Sequence, residues 1–343
     1  MRLMRHPFSA RGIFVLSVLL WLVLAAVSLT LGRYAIPLTH LYSILLEPLG
    51  WHAVPVSDIE RTVIWTVRMP RILIASLAGG GLALAGAVLQ GVFRNPLVGP
   101  HIIGVSTGAT VGGALSILLG LGSLGLWLSA FTSGMLSLAL VFAVTRALPR
   151  ANTLAIVLAG VVLSGFFAAL VSLIQYAADA EEKLPVIVYW LMGSFSTATY
   201  AKLVLLFVPT IAATTIMMLL AWRINVLSLG DDEARQLHVN VNGLRWVLLV
   251  CVAVIVSAQV SVSGSIGWVG LVIPHAARML TGPDHRKLLP VACMLGAAFM
   301  VLVDDVARTL TASEIPLSIL TAIIGAPVFL YLLRRSQNRG WSG

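Results

Sequence analysis

The chain has 343 residues, 59% of them hydrophobic and only 10% charged. Soluble domains carry about 25% charged residues, so this composition excludes a water-soluble enzyme and requires lipid as the main solvent. The net charge of +9 punctuates apolar runs instead of gathering on one segment, which argues against a nucleic-acid binder.

A spanning helix needs about 20 apolar residues, and the charge-free runs are judged by that length. Gly12 to Gly32 follows Arg2, Arg5 and Arg11. It is longer than the apolar core of a signal peptide and has no small-x-small cleavage site after it, so it is read as the first span. Ile72 to Phe93 is a second. Asn95 to Thr145 is long enough for two, with a Gly-rich break between Gly120 and Gly125. Ala151 to Ala178 and Leu203 to Trp222 supply one each. Trp246 to Ala277 breaks at Ser263-Gly264-Ser265-Ile266-Gly267 into a full helix and a short one, and Leu288 to Val303 and Ile315 to Leu333 bring the total to ten. The fold class expected is an all-α integral membrane bundle, a single transmembrane domain over residues 1–343. Cys251 and Cys293 fall inside apolar runs and read as core residues, without a pattern that supports a disulfide.

With the amino terminus in the cytoplasm, alternation puts 15 of the 22 basic residues on the cytoplasmic side, among them Arg2, Arg5, Arg94, Arg150, Arg223, Arg286 and Arg339. Arg33, Arg61, Arg68, Arg71, Lys183, Lys202 and Arg308 fall outside. The positive-inside bias therefore predicts cytoplasmic termini. Small residues recur at four-residue spacing (Gly81 with Ala85, Gly108 with Gly112, Gly160 with Ser164), as expected where helices associate by close backbone approach. Asn95 to His101 and Gly270 to His275 both set Gly, Pro and His at a helix boundary. If helices two to five match seven to ten, the two sets form an inverted repeat.

No enzyme motif is found. The histidines lack a His-Glu-x-x-His pattern, the acids form no intramembrane dyad, and no Gly-x-x-x-x-Gly-Lys-Ser/Thr phosphate loop exists to hold ATP. The most informative loop, within residues 224–242, runs from Leu229 to His238. Asp231 to Glu233 suit a helix amino terminus, Asp231 is spaced to pair with Arg235, and Ala234 and Leu237 share a face. The loop is either a solvated connector or a contact for a partner surface.

Six segments resemble the FecCD family in one order along nearly the whole chain. They are Arg68-Met69-Pro70-Arg71, Gln90 to Leu97, Gly104 to Ala109, the Leu229–His238 loop, Gly264 to His275, and Gly325-Ala326-Pro327-Val328-Phe329. These are permease subunits of type II ABC importers for iron-siderophores, haem and cobalamin. The resemblance implies a homodimer in the bacterial inner membrane that works with two ABC ATPase subunits and a periplasmic substrate-binding protein. It implies no cofactor or metal on this chain, the ATP and Mg being used by the ATPase. It assigns Gly230, Asp231, Glu233, Ala234 and Leu237 to ATPase coupling, and Arg68, Arg71 and Arg308 to docking of the binding protein. Asn95, Leu97, Asn152 and Thr153 match cytoplasmic gate positions, although Asn152 is equally placed to cap a helix.

Residues 180–200 are too broken and polar for a span and read as an external interfacial or re-entrant segment, with Tyr189 and Trp190 as interfacial anchors. His101 departs from the small residue of the family pattern and reads as a surface or capping residue. The cargo expected is a metal chelate, iron-siderophore or haem first, with cobalamin or molybdate/tungstate as alternatives. An ion-coupled secondary transporter is disfavoured, because no Asp, Glu, Lys or Arg lies centrally in any expected span.

Overall fold

The computed structural model describes residues 9–32, 34–50, 54–147 and 153–337. Arg2, Arg5, Arg33, Arg150, Asn152 and Arg339 lie outside the described residues. In chain order the helices are α1 (Ala10–Thr30), α2 (Leu38–Leu46), α3 (Asp58–Thr62), α4 (Met69–Val92), α5 (Val105–Leu119), α6 (Gly122–Arg146), α7 (Thr153–Ala177), α8 (Lys183–Leu191), α9 (Tyr200–Leu219), α10 (Ala221–Leu229), α11 (Asp231–Gln236), α12 (Val241–Ser263), α13 (Val269–Thr281), α14 (His285–Thr309) and α15 (Leu317–Gln337). No strand occurs among the described residues. Among the described residues seven helices are long and apolar enough to span, and α5, α13 and α15 add three shorter apolar stretches, in line with the ten expected.

Two elements went unread in the sequence. The segment between α1 and α4 folds into the short helices α2 and α3, and α3 runs through a wide π turn (Val63–Arg68) into α4. Ser57 and Glu60 form a reciprocal capping box at α3, a signal present in the Ser-x-x-Glu spacing. His40 of α2 closes on the Glu60 carboxylate at 2.8 Å.

The helix pairings repeat. α4 packs on α14 as α12 packs on α6, α4 meets α13 as α12 meets α5, and α5 lies against α7 as α13 lies against α15. This is the pattern of an inverted repeat of α4–α7 and α12–α15, because five alternating spans separate equivalent helices. The equivalent helices α4 and α12 are the most buried spans and form the centre.

Close backbone approach holds the pairs. A Cβ on Gly79 would lie 2.2 Å from the Gly296 carbonyl oxygen, and one on Gly296 would lie 2.3 Å from that of Gly79. On α5 the expected small pair Gly108 and Gly112 meets Ser137 and Ser129 of α6, while Gly160 of α7 receives the carbonyl of Ile102. Lipid offers little hydrophobic drive between helices, so this tight van der Waals packing supplies the association. Both cysteines are free thiols, Cys251 in the core and Cys293 against Gly80.

The closest approach is that of α4 to α13, where a Cβ on Gly86 would sit 1.8 Å from the Gly270 oxygen. Gly86→Val is expected to lower stability by about 3 kcal/mol, the upper end of overpacking effects. Thermal unfolding in detergent micelles reads this, and wild-type stability would mean that the two backbones are not in contact.

Candidate functional site

Both halves of the repeat carry irregular backbone between their first and second helices, and the two breaks meet. Past α4, Arg94 takes a positive φ of 50°, and the Asn95 side chain accepts a hydrogen bond from the Leu97 amide at 2.9 Å. A single 3-10 turn (Pro100–Ile103) and Gly104, at φ 82°, then lead into α5. In the other half, Gly264 ends α12 at φ 72°. There Gln259 Nε2 donates to Ser263 Oγ and to the Gly264 carbonyl, both at 2.9 Å. His101 Nε2 donates to the Ile266 carbonyl oxygen at 3.2 Å, and Ser106 and Ser265 hydroxyls lie 3.4 Å apart. Pro100 packs onto Gly270.

The expectation of a surface or capping role for His101 is therefore corrected. The ring is partly buried and bridges the two breaks, because Gly267 and Gly270 leave room for the 100–103 turn to approach. Leu97, Gly99, Pro100, His101, Trp268 and Leu271 line a cavity of about 350 Å³ at this junction. Of the expected gate residues, Asn95 is exposed and Leu97 is 50% exposed at the cavity rim. Thr153, at the first turn of α7, is partly buried.

On the face that carries the Arg94–Pro100 turn, α10 and α11 form the acidic loop. Gly230 takes φ 154°, and a Cβ there would collide with the Glu233 carboxylate at 1.9 Å. Two local expectations change. Asp231 pairs with Arg245 of α12 at 2.8 Å, while Arg235 pairs with Asp232, because the buried Arg245 guanidinium takes the Asp231 carboxylate toward the bundle and leaves Arg235 the exposed Asp232. Ala234 is fully buried against the chain's own core, whereas Leu237 is 52% exposed, so the two do not share an outward face. Leu229 is also exposed.

Asn225 anchors the loop from below. Its Nδ2 donates to Asp284 at 2.7 Å, and its Oδ1 accepts from the His285 amide at 2.8 Å. Burial alone would raise the Asp284 carboxyl, but hydrogen bonds from Arg286 and Asn225 hold it below its ordinary range. The His285 ring in turn packs on Gly91 at the end of α4.

At the opposite face, the three arginines expected to dock a binding protein are buried. Arg71 Nε and Nη2 each reach Asp304 at 2.8 Å, and Nη1 and Nη2 reach Glu314 at 2.8 and 2.9 Å. Arg308 Nη2 donates to Asp305 at 2.6 Å and to Ser28 Oγ at 2.8 Å. Arg68 donates to the carbonyls of Leu29 and Tyr34. Three guanidiniums and three carboxylates cancel, and they tie α1, α4 and α14 together.

Nearby, α8 turns back over α5. The Trp190 ring presses on Gly113, where a Cβ would be 1.9 Å away, so Trp190 packs inward and is not the interfacial anchor expected. Tyr189 is 39% exposed. The turn after α8 is held by backbone bonds from Ser194 to Ser263 and from Leu317 to Gly193.

The FecCD transport family model matches residues 19–335. The chain belongs to the FecCD transport family. It is thus a multi-pass permease subunit of an ABC importer. A molybdate import system permease protein of Haemophilus influenzae is 48% identical over 322 residues, with 94% of this chain and 95% of that protein covered. An iron chelatin transport system permease protein of Helicobacter pylori is 41% identical over 276 residues, covering 80% and 83%. A solved metal-chelate type ABC transporter in an inward-facing conformation superposes with a TM-score of 0.87 at 46% identity, covering 95% of this chain and 99% of that one.

Arg71→Ala removes the bidentate partner of Asp304 and Glu314 and leaves Asp304 only the longer contact to Arg308 at 3.9 Å, and a loss of about 3 kcal/mol is expected. Replacing the pair together, Arg71→Met with Asp304→Leu, should recover most of it. Thermal unfolding of both proteins in micelles provides the check. Equal loss in the single and double variants would mean that charge balance is not what the network supplies.

Proposed function

We propose that two copies of this chain form the translocation path of an inner-membrane importer that carries a metal chelate, received from a periplasmic binding protein, into the cytoplasm. The observation that carries this reading is the family membership together with the α10–α11 loop, whose exposed Leu229 and Leu237 stand beside a buried anchor. Two separate ATPase subunits, using ATP and Mg, bind that loop. Its face collects most of the basic residues, which favours a cytoplasmic position and cytoplasmic termini.

The outward sides of α7 and α15 support the homodimer. Leu158, Val162, Phe166, Ile323 and Leu330 are all more than half exposed, and they flank the junction of the two breaks, since α7 packs on Ile102 and α15 packs on Trp268. A second copy laid on these faces closes a path past Leu97, Asn95 and Thr153, which act as its cytoplasmic gate. Asn152 joins them by its position in the sequence.

Docking of the binding protein works by exchange. Glu314 is the most exposed acid of the outer network, with 23% of its side chain accessible, and a carboxylate on the binding protein takes its place on Arg71. Arg68 and Arg308 hold the surrounding backbone in position. Glu314→Gln is then expected to strengthen the complex several-fold in a binding titration, and weaker binding would refute exchange.

A metal chelate is favoured by the similarity to the metal-chelate type transporter and to the iron chelatin permease. The Haemophilus relative favours an oxyanion as the second reading. Uptake of a radiolabelled iron chelate and of radiolabelled molybdate into vesicles containing the full complex separates them. For the coupling role, Leu237→Asp is expected to reduce ATP-dependent uptake by about tenfold, the effect of losing a central interface contact worth 1–2 kcal/mol. ATP hydrolysis and membrane insertion are expected to persist. Unchanged uptake would remove Leu237 from the coupling contact.

A further inference from the structure

A groove runs between α6 and α9. Both helices pack on α12, which forms its floor, and α8 and the 194–197 turn line its end opposite the α10–α11 loop. Two adjoining cavities, of about 390 and 670 Å³, share Leu126, Ser196, Thr197, Lys202 and Val262. Each falls in the size range of small-ligand sites.

The groove is polar at that end and apolar along its length. Lys202 Nζ donates to Thr197 Oγ1 at 2.6 Å, and Ser194 Oγ lies 3.0 Å from Ser196 Oγ. A hydroxyl that accepts a hydrogen bond keeps its own proton to donate, so the exposed Thr197 and Ser196 can both donate beside the ammonium. No acid lines either cavity. Arg61, Arg71 and Arg308 each face a carboxylate, whereas no ion pair among the described residues reaches Lys202. Below this cluster, Leu124 and Trp127 of α6 and Leu205 of α9 form apolar walls, and Trp127 stacks on Phe131 one turn further into the span, with ring centroids 5.3 Å apart. Leu128, Val204 and Val208 are exposed on the same two helices, as surfaces that meet acyl chains are.

We propose that this groove binds one anionic phospholipid, its phosphate held by Lys202, Thr197 and Ser196 and an acyl chain lying along Leu124, Trp127 and Leu205. An uncompensated cation with hydroxyl donors, set at the end of spanning helices above an apolar cleft, matches a charged headgroup joined to a hydrocarbon tail. A free oxyanion would use the polar end alone. In the orientation proposed above the lipid belongs to the outer leaflet, and the site stands on the spanning fold whatever cargo the permease carries. A lipid seated there bridges α6 to α9 across α12, so its binding stabilises the bundle.

The probe is dioleoyl-phosphatidylglycerol, titrated into the purified full-length permease in uncharged detergent micelles. Thermal unfolding is the readout, because a ligand of the folded state raises the midpoint in a saturable way. Lys202→Gln keeps an N–H for Thr197 but loses the charge, and its apparent affinity for the lipid should fall about tenfold, as for loss of a charged hydrogen bond. Lys202→Arg should bind as wild type does. Leu124→Ser, on the exposed wall, should weaken the lipid without touching the headgroup contacts. Equal affinity in wild type and Lys202→Gln overturns the proposal, as does an equal loss in Arg223→Gln, at an exposed arginine of α10, which would reduce the effect to general attraction by basic residues. Inorganic phosphate should neither raise the midpoint nor displace the lipid, and displacement would assign the polar end to a free oxyanion and overturn the lipid site. A Lys202→Gln permease that keeps its lipid affinity but loses the binding protein would assign the groove to protein docking and overturn it as well.

Discussion

Within a bilayer every backbone amide and carbonyl has to find a partner inside the protein, and this rule shapes the molecule more than any side chain does. A helix satisfies it automatically. The segments 93–104 and 264–268 do not, and each is tolerated because the other covers it. The carbonyl of Ile266 finds an imidazole, the end of α12 is closed by the Gln259 amide, and Pro100 presses onto Gly270 where no side chain intervenes. Irregular backbone of this kind is stable only where it is enclosed or lines a cavity. The need to bury two breaks therefore creates a recess at the pseudo-symmetry axis, the place where a transporter requires one.

Charge follows the same logic at the outer face. An isolated Arg or Asp near the hydrocarbon is strongly unfavourable, and here six such groups are gathered so that each meets an opposite charge or a carbonyl. The geometry is bidentate at Arg71, which a lysine could not reproduce. Buried ion pairs contribute modestly to net stability compared with apolar packing, yet losing one partner is severe. The network therefore fixes how α1, α4 and α14 are arranged more than it adds to their total stability, and it makes their outer ends rigid.

Much of this was legible in the sequence. Span number, the Gly-rich break after Gly120, the short helix after Gly267 and the small-residue seams all follow from local composition, which lipid makes unusually informative. What was not legible depended on the third dimension. Arg71 and Asp304 are far apart in the chain, so nothing local showed that the outer arginines are internally paired. Ala234 and Leu237 look equivalent on a helical wheel, but a helix as short as α11 lies flat against the bundle, so one is covered and the other is not. His101 was misplaced because its environment is supplied by Ile266, a residue from the other half of the repeat. Trp190 was misplaced because Gly113, on a different helix, leaves a slot for its ring.

The same contacts define how motion can pass through the molecule. The α10–α11 loop is joined through Asn225 to Asp284 and His285, at the start of α14, and the His285 ring sits against Gly91 at the end of α4. α4 and α14 are interlocked midway at Gly79 and Gly296 and clamped again at Arg71 and Asp304. Two helices fastened at three levels cannot slide past one another, so a push on α10 and α11 moves them as one body. The parts placed to respond differently are α7, which packs on α5, α6 and the Pro100–Ile103 turn, and α15, which packs on α13 and α14. Displacement between the rigid α4–α14 pair and those two helices has to be absorbed at the Pro100–Ile103 turn and at Gly264–Trp268, so the most deformable backbone in the membrane lies beside the cavity that it would open or close.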